Sequence, residues 1–328
     1  MSFVIIVYSF STRNRYSKNG FIRLLPSHKI IGIISKDLEQ NSWRLSGAHD
    51  SSIFLNNMIL PSRLLSVDSS LKNKIILSLS GLENMTLYKG TSIIIDSLSM
   101  YLLDGMKPII LKGTLSDRYF KQKIGTPYFS SAIPLSKTSV ALRYVNMRGG
   151  NVLAKLPVGS DSLRSTHLLE KQVDGLFCTD GEMVKIPGSS KMIYVYYYRN
   201  QFLCADSNLN LLYKGKTIDT ISKAKIKVAK ITSTGETTMS APPLYVNKRA
   251  CANSKYLFVQ SALRANNETE YMIKNVSIID VYAISDGKYQ FSFYLPDFRG
   301  FKVRDFKVYG KSLYALYDHY LYKYQLNF

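Results

Sequence analysis

The sequence predicts an all-β protein with the fold of a six-bladed β-propeller. Helical periodicity is nearly absent from its 328 residues. Short runs of Val, Ile, Leu, Tyr and Phe recur instead, separated by Gly, Asp, Asn and Ser, which is the pattern of strands joined by turns. Near the C-terminus, Tyr320, Tyr322, Tyr324 and Leu326 alternate with polar residues. That alternation is typical of a strand with one buried face.

One unit, an apolar strand followed by a turn and a second apolar strand, occurs six times. Its turns lie at residues 68–71, 104–105, 146–150, 206–209, 286–287 and 318–321. Further strands precede several units, as at 191–198, 254–260 and 303–309. At least three strands per unit indicate the blades of a propeller, because a barrel with this many strands would be wide and would need filling.

The turn residues support this interpretation. Asp-Gly pairs supply the positive φ of tight hairpins. The pattern Asp-x-x-Leu occurs at Asp68, Asp206 and Asp318, where a carboxylate can accept the backbone N–H two residues further on. We therefore assign structural turn roles to five aspartates, namely Asp68, Asp104, Asp206, Asp286 and Asp318.

The domain organisation follows from the repeats. Residues 21–328 are expected to form a single propeller domain, and residues 1–20 a separate N-terminal segment. The sixth unit reaches Phe328 directly after its third strand, so the last blade is expected to take its outer strand from residues 29–50. The apolar run at 3–8 is shorter than the roughly 20 residues that span a bilayer. We interpret segment 1–20 as the remnant of an export signal or membrane anchor, with a first strand as the alternative.

The composition favours a binding role. Lys and Arg number 43 against 23 Asp and Glu, which gives a net charge of +20. Such a charge attracts nucleic acid, anionic membranes, acidic glycans or acidic proteins. An equally good explanation is a merely solubilising surface, because no run of basic residues resembles an Arg-rich arm.

Motifs of catalysis are missing from the sequence. It contains no HExxH, GxSxG or glycine-rich phosphate loop, and the spacings of Cys178, Cys204 and Cys251 fit no zinc pattern. We therefore assign no catalytic residue, no metal ligand and no cofactor. The tyrosines at 194 and 196–198 are interpreted either as packing between blades or as a stacking platform for sugars or bases.

Two stretches carry a resemblance to a known family. Residues 293–318 resemble the closing blade of TolB-like six-bladed propellers, which are common among exported proteins and lipoproteins of Bacteroidetes, and residues 52–68 resemble their opening blade. The resemblance implies the fold and an extracytoplasmic location, in the periplasm or cell envelope, rather than an activity. No Cys follows the N-terminal apolar run, which departs from the lipoprotein members.

The sequence thus predicts a non-catalytic extracytoplasmic propeller that binds a protein or ligand, of anionic character, on one face. The alternatives are a metal-dependent hydrolase or lyase with its site in the central channel, and a binder of polyanions or nucleic acid. Peripheral or N-terminally anchored association with a membrane is also compatible with the sequence. The predicted binding residues lie on turns expected to share one rim of the channel mouth: Lys72, Lys107, Arg148, Lys288 and His319.

Overall fold

The computed structural model describes residues 18–82, 85–158, 162–233 and 235–328. Within these ranges the chain forms six four-stranded antiparallel blades, a small two-stranded ribbon and one short helix, α1 (Glu270–Lys274). No helix in the described part is long and apolar enough to span a bilayer. The first strand, β1 (Ile30–Asp37), belongs to the last blade.

The first three blades follow one another along the chain, each running from its inner to its outer strand. Blade 1 contains β2 (Trp43–His49), β3 (Ser52–Asn57), β4 (Arg63–Asp68) and β5 (Lys74–Ser78). Blade 2 contains β6 (Ser92–Asp96), β7 (Ser99–Asp104), β8 (Ile109–Thr114) and β9 (Tyr119–Gly125). Blade 3 contains β10 (Ser131–Ser136), β11 (Ser139–Val145), β12 (Asn151–Pro157) and β13 (Arg164–Thr166).

The remaining blades include one long insertion and the closure of the ring. Blade 4 contains β14 (Gly181–Lys185), β15 (Met192–Tyr196), β16 (Phe202–Ala205) and β17 (Leu211–Gly215). It is followed by the two-stranded ribbon of β18 (Val228–Lys230) and β19 (Thr237–Met239). Blade 5 contains β20 (Asn247–Ala252), β21 (Tyr256–Ser261), β22 (Val276–Ala283) and β23 (Tyr289–Pro296). Blade 6 contains β24 (Val303–Tyr309), β25 (Ser312–Tyr317), β26 (Tyr320–Leu326) and, outermost, β1.

The hydrophobic core lies between the blades, with one buried cluster at each of the six interfaces. Period-two alternation divides each central strand between two clusters. In β25, Leu313 and Ala315 face blade 5, whereas Tyr314 and Leu316 face blade 1. Because successive side chains of a strand point to opposite faces, both faces must be apolar for the blades to stack into a ring.

An N-terminal strand closes the ring, as the sequence predicted. Strand β1 pairs antiparallel with β26, from Ile30 opposite Leu326 to Asp37 opposite Tyr320, with a bulge between Gly32 and Ile34. The last blade therefore combines the two ends of the described chain. The prediction of a six-bladed propeller whose last blade is closed from the N-terminal side is confirmed.

The predicted turns are of two kinds, although the sequence treated them as equivalent. Those at Asp104, Asn146 and Asp318 join the second and third strands of a blade, whereas those at Asp68 and at the positions of Asp206 and Asp286 join the third and fourth. The two kinds lie at opposite ends of the third strand. Local turn chemistry is the same at both ends of a strand, so the sequence pattern could not separate them.

Most of the turn carboxylates bind their own backbone. Asp206 Oδ1 accepts the N–H groups of Asn208 and Asn210, both at 2.8 Å. Asp68, Asp104 and Asp286 each accept the N–H two residues further on, at 2.8, 3.1 and 3.0 Å. Asp318 differs, because it has a φ of 47° and its carboxylate contacts the ring of His319 and the Asn41 amide. Asp318 therefore links the turn between β25 and β26 to the connection between β1 and β2.

A short arm at residues 18–24 packs on blade 5. Arg23 is fully buried there, and its Nε and Nη2 donate to the two carboxylate oxygens of Asp280 at 2.7 and 3.2 Å. Its Nη1 donates to Glu268 at 2.6 Å and to the carbonyl of Leu263 at 3.1 Å. The arm thus docks through a buried ionic network, together with an isolated β-bridge between Lys18 and Arg264. The predicted export remnant at 1–20 falls almost entirely on residues 1–17, outside the described residues.

Candidate functional site

The innermost strands of all six blades surround a central cavity of about 580 Å³. Its lining comes from β2, β6, β10, β14, β20 and β24. A neighbouring cavity of about 460 Å³ shares part of that lining and adds residues at the far ends of the inner strands, including His49, Asp50 and Asn253. The channel therefore widens toward the turns that join first and second strands.

Three cations line one side of this cavity. Arg249 belongs to blade 5, Lys307 to blade 6 and Arg44 to blade 1, so they occupy inner strands of three consecutive blades. Each is partly buried. Among the described residues, none of the three side chains forms a hydrogen bond or an ion pair within 4 Å. This side of the channel, the cationic wall, is defined by Arg44, Arg249 and Lys307.

Two carboxylates lie beside the cationic wall, but each is held by a neighbouring backbone. Asp305 Oδ2 accepts the N–H of Leu45 at 3.1 Å, and Glu182 Oε2 accepts the N–H of Ala250 at 3.0 Å. Burial raises the pKa of Glu182, although Lys307 and Arg249 act in the opposite direction. Both carboxylates thus join the inner strands of adjacent blades, and burial makes Glu182 easier to protonate than an ordinary glutamate.

Neighbouring charges of both signs act on the cationic wall. Burial lowers the pKa of the Arg249 guanidinium, but Glu182 and Asp305 oppose that effect and the net shift is upward. Burial also lowers the pKa of Arg304, and the nearby Arg44 and Arg249 lower it further. Arg304 donates from Nε to the Asp318 carbonyl at 2.8 Å, while its buried Nη2 has no partner in the described part of the chain. The guanidinium groups of Arg44 and Arg249 therefore lie close enough to that of Arg304 to repel it.

The opposite wall is different in character. Blades 2 and 3 contribute Ile94, Ala132 and Pro134 to the lining. An ion pair between Lys185 of blade 4 and Asp96 of blade 2 lies at the same wall. The channel is therefore cationic on one side and largely apolar or internally neutralised on the other.

Arg143, a further basic residue of the lining, contacts the neighbouring blade. Its Nε donates to Ser130 Oγ at 2.8 Å, and its Nη1 donates to the Gly181 carbonyl at 2.7 Å and to the Tyr194 hydroxyl at 2.9 Å. It also forms an ion pair with Asp180. Arg143 thus ties blade 3 to blade 4, unlike the three residues of the cationic wall.

The structure does not bring the five predicted rim residues together. Lys107, Arg148 and His319 lie at turns between second and third strands, whereas Lys72 and Lys288 lie at turns between third and fourth strands. None of the five lines the channel cavity. The expected single rim fails because hairpins at opposite strand ends share the same sequence pattern. Their role in binding stays a prediction.

Three of these five residues have local partners. Lys107 Nζ donates to the Thr86 carbonyl at 2.9 Å, and Lys288 Nζ lies 3.6 Å from Asp286. His319 Nδ1 lies 2.6 Å from the Asp318 carboxylate, and its Nε2 lies 3.8 Å from Asp37. The side chains of Lys107 and Lys288 thus have acceptors close by, whereas those of the cationic wall form no hydrogen bond among the described residues.

The residues of the cationic wall were missed by the sequence analysis. Two of them are charged residues between apolar neighbours on the first strand of a blade, Arg44 between Trp43 and Leu45 and Lys307 between Phe306 and Val308, whereas Arg249 follows Lys248. That signal is visible in the sequence. It becomes informative only once the first strand of each blade has been distinguished from the others, since first strands contribute most of the channel lining.

Other predicted features are buried or without metal-binding geometry. Tyr194, Tyr196 and Tyr198 are each at most 3% exposed, so they pack inside the protein. The three cysteines are free and buried, and burial raises the pKa of Cys251 to about 12. No group of three or more His, Cys, Asp or Glu residues within the described ranges is arranged to hold a metal ion.

Comparison with known proteins identifies the class of fold. The sequence matches no protein-family model, and no curated protein has a significantly similar sequence. Among solved structures, a member of the DUF4221 family from Bacteroides vulgatus has 9% identity and a TM-score of 0.54, covering 92% of this chain and 99% of that one. The WD40 domain of Pan2 from Neurospora crassa has 7% identity and a TM-score of 0.50, covering 94% and 98%. At such identities the likeness shows the β-propeller fold alone, and the TolB-like resemblance stays a prediction.

Proposed function

We propose that this propeller is a non-catalytic binding protein that takes a small anionic ligand into its central channel. The observation that carries the proposal is the cationic wall: on consecutive inner strands around a cavity of about 580 Å³, three partly buried cations form no hydrogen bond and no ion pair within 4 Å among the described residues. Carboxylate or phosphate oxygens of a ligand are the acceptors that these side chains lack.

The energetics favour a ligand at this position. Charged groups in a narrow, partly dry channel lose hydration and repel one another, and an incoming anion relieves both costs. The cavity volume falls within the roughly 300–1,000 Å³ of small-molecule sites. The apolar wall opposite, with Ile94, Ala132 and Pro134, suits a ligand that carries an apolar group next to its anionic one.

Isothermal titration calorimetry with citrate and inorganic pyrophosphate as probes tests the proposal. The channel variant R44Q/R249Q/K307Q is compared with the rim variant K72Q/R148Q/K288Q, since each removes three positive charges. We expect the channel variant to bind at least tenfold more weakly than the wild type, because each charge-assisted hydrogen bond contributes ~1.5–3 kcal/mol. The rim variant should bind like the wild type.

Each other result has a definite meaning. Loss of anion binding in the rim variant alone would assign binding to the turn residues predicted from the sequence and overturn the channel site. Equal loss in both would show that net charge rather than the channel attracts the anion. Failure of the wild-type protein to bind either probe, or a wider set of carboxylates and phosphates, would contradict the proposal. Thermal denaturation of each variant checks that the fold is intact.

We further propose an extracytoplasmic location, in the periplasm or cell envelope. Its support is the sequence resemblance to exported propellers and the apolar run at residues 3–8. Fractionation of cells that express the full chain tests this location, and recovery in the cytoplasmic fraction would contradict it. A stoichiometric divalent metal in the purified protein would instead favour the alternative of a metal-dependent hydrolase or lyase.

A further inference from the structure

The insertion between blades 4 and 5 displays a regular row of lysines. In the stretch from Lys223 to Lys227, exposed lysines alternate with buried apolar residues. Lys223, Lys225 and Lys227 are exposed, whereas Ala224 and Ile226 are 6% and 7% exposed. This period of two places the three lysines, here called the lysine row, on one face of the segment.

The lysine row is anchored rather than loose. Ala224 and Ile226 belong to a buried cluster with Cys178 and Tyr198. The backbone of the segment is held on one side by Gln172, whose Oε1 accepts the N–H of Ala224 at 2.9 Å. On the other side the Ser240 N–H donates to the Lys227 carbonyl at 2.9 Å. A pinned backbone presents the three ammonium groups in a fixed order, which lowers the entropic cost of binding a partner.

The charges of the lysine row are unopposed in the described part of the chain. None of the three side chains forms an ion pair within 4 Å or a hydrogen bond there. The neighbouring Lys216 and Lys230 are exposed as well, while Asp219 is buried and binds Thr217 and the backbone of Ile221. The insertion is therefore a local concentration of positive charge, separate from the cationic wall, since none of these lysines lines the channel.

An exposed aromatic ring lies beside the lysine row. Tyr245 is 43% exposed, and its ring centroid lies 4.9 Å from that of Tyr198, which packs beneath the row. The N–H of the preceding Leu244 donates to the Lys225 carbonyl at 3.5 Å, which keeps Tyr245 next to the row. A ring held in this way offers a base a partner for stacking.

We propose that the lysine row and Tyr245 form a binding surface for single-stranded nucleic acid. Three exposed cations on one side of an anchored segment can contact the phosphates of a single strand. A row of cations beside an aromatic ring is the combination that binds single strands without sequence preference.

Fluorescence anisotropy with a labelled 12-nucleotide oligo(dT) and a labelled oligo(rU) tests the surface in the full chain. We compare the wild type with K223E/K225E/K227E and with the matched control K89E/K137E/K311E, whose lysines are also exposed but lie elsewhere. Both triple variants change the net charge equally. The logarithm of the association constant falls linearly with the logarithm of the salt concentration. For three phosphate contacts, this dependence should be less steep by roughly 2 in the row variant, while the control keeps the wild-type slope.

The tyrosine supplies an independent readout. Y245L should weaken oligonucleotide binding by roughly tenfold through the loss of stacking, while Y245F should retain it. Equal losses in the two triple variants, or a wild type that does not bind either oligonucleotide, would overturn the proposal. A membrane surface would be the partner instead if the wild type bound vesicles of phosphatidylserine and phosphatidylcholine but neither oligonucleotide. In that case the row variant would also lose its binding to the vesicles. Far-ultraviolet circular dichroism confirms that each variant is folded.

Discussion

Two arginines, one packed against blade 5 and one within it, differ in how their buried charge is compensated. Arg23 is fully buried, and its donors are met by Asp280, Glu268 and a backbone carbonyl. Arg249 is partly buried in the channel, and its side chain forms no hydrogen bond in the described part of the protein. The first arrangement holds the N-terminal arm in place. The second leaves donors without an acceptor among the described residues, which is the reason for proposing a ligand there.

The largest expected effect is that of removing the saturated arginine. R23M leaves Asp280 and Glu268 buried without their cation, and the free energy of unfolding should fall by about 3–5 kcal/mol. R249M, the matched change in the channel, should alter it by less than about 1 kcal/mol because no bonded partner is lost. Urea unfolding measures both, and equal losses would remove the contrast between the two arginines.

A buried acid close to the Arg23 network should make stability depend on pH. Burial raises the pKa of Asp219 to about 6, and Asp280 adds to that shift. The folded state therefore holds this proton more tightly than the unfolded state, so its contribution is complete below pH 4 and is lost as the pH rises to about 6. The loss amounts to about 3 kcal/mol. D219N should be free of this loss, and a wild-type stability that is flat between pH 4 and 6 would contradict the assignment.

The channel should show a pH dependence of a different kind. Because burial raises the pKa of Glu182, lowering the pH neutralises this acid early and leaves the cationic wall less opposed. Affinity for pyrophosphate, corrected for the charge of the probe, should therefore rise as the pH falls, on the order of tenfold. E182Q should bind tightly throughout and show little pH dependence. An E182Q protein that keeps the wild-type pH profile would mean that another group controls the channel.

The smallest effect is expected at the turns. D206A removes the acceptor for the N–H groups of Asn208 and Asn210 and should cost on the order of 1 kcal/mol. D206N retains an acceptor oxygen and should lose less. Neither change should alter anion binding in the channel. A loss of binding without a loss of stability would give Asp206 a functional role that its contacts do not suggest.

The sequence predicted the ring and its closure but not the channel site. Alternating strands such as β25 and the Asp-containing turns are local signals, so they could be recognised from neighbouring residues alone. The cationic wall joins Arg44, Arg249 and Lys307, which are far apart in the chain and meet only because their three blades are neighbours in the ring. The lysine row was overlooked for another reason. Lysines at every second position do not form a run in the sequence. Their common face becomes visible only once the residues between them, Ala224 and Ile226, are seen to be buried.

The closure of the ring has a consequence for biosynthesis. Ile30 and its partner Leu326 are 296 positions apart (326 − 30). At about 5–20 residues per second, a ribosome needs ~15–60 s to make the chain between them. During that time the Ile-rich first strand has no partner, and the edge of blade 6 does not yet exist. Even in the folded ring Ile31 and Ile33 remain about half exposed, at 49% and 54%. An unpaired apolar strand is prone to pair with other chains, so the nascent protein is exposed to such pairing until residues 320–326 have been made.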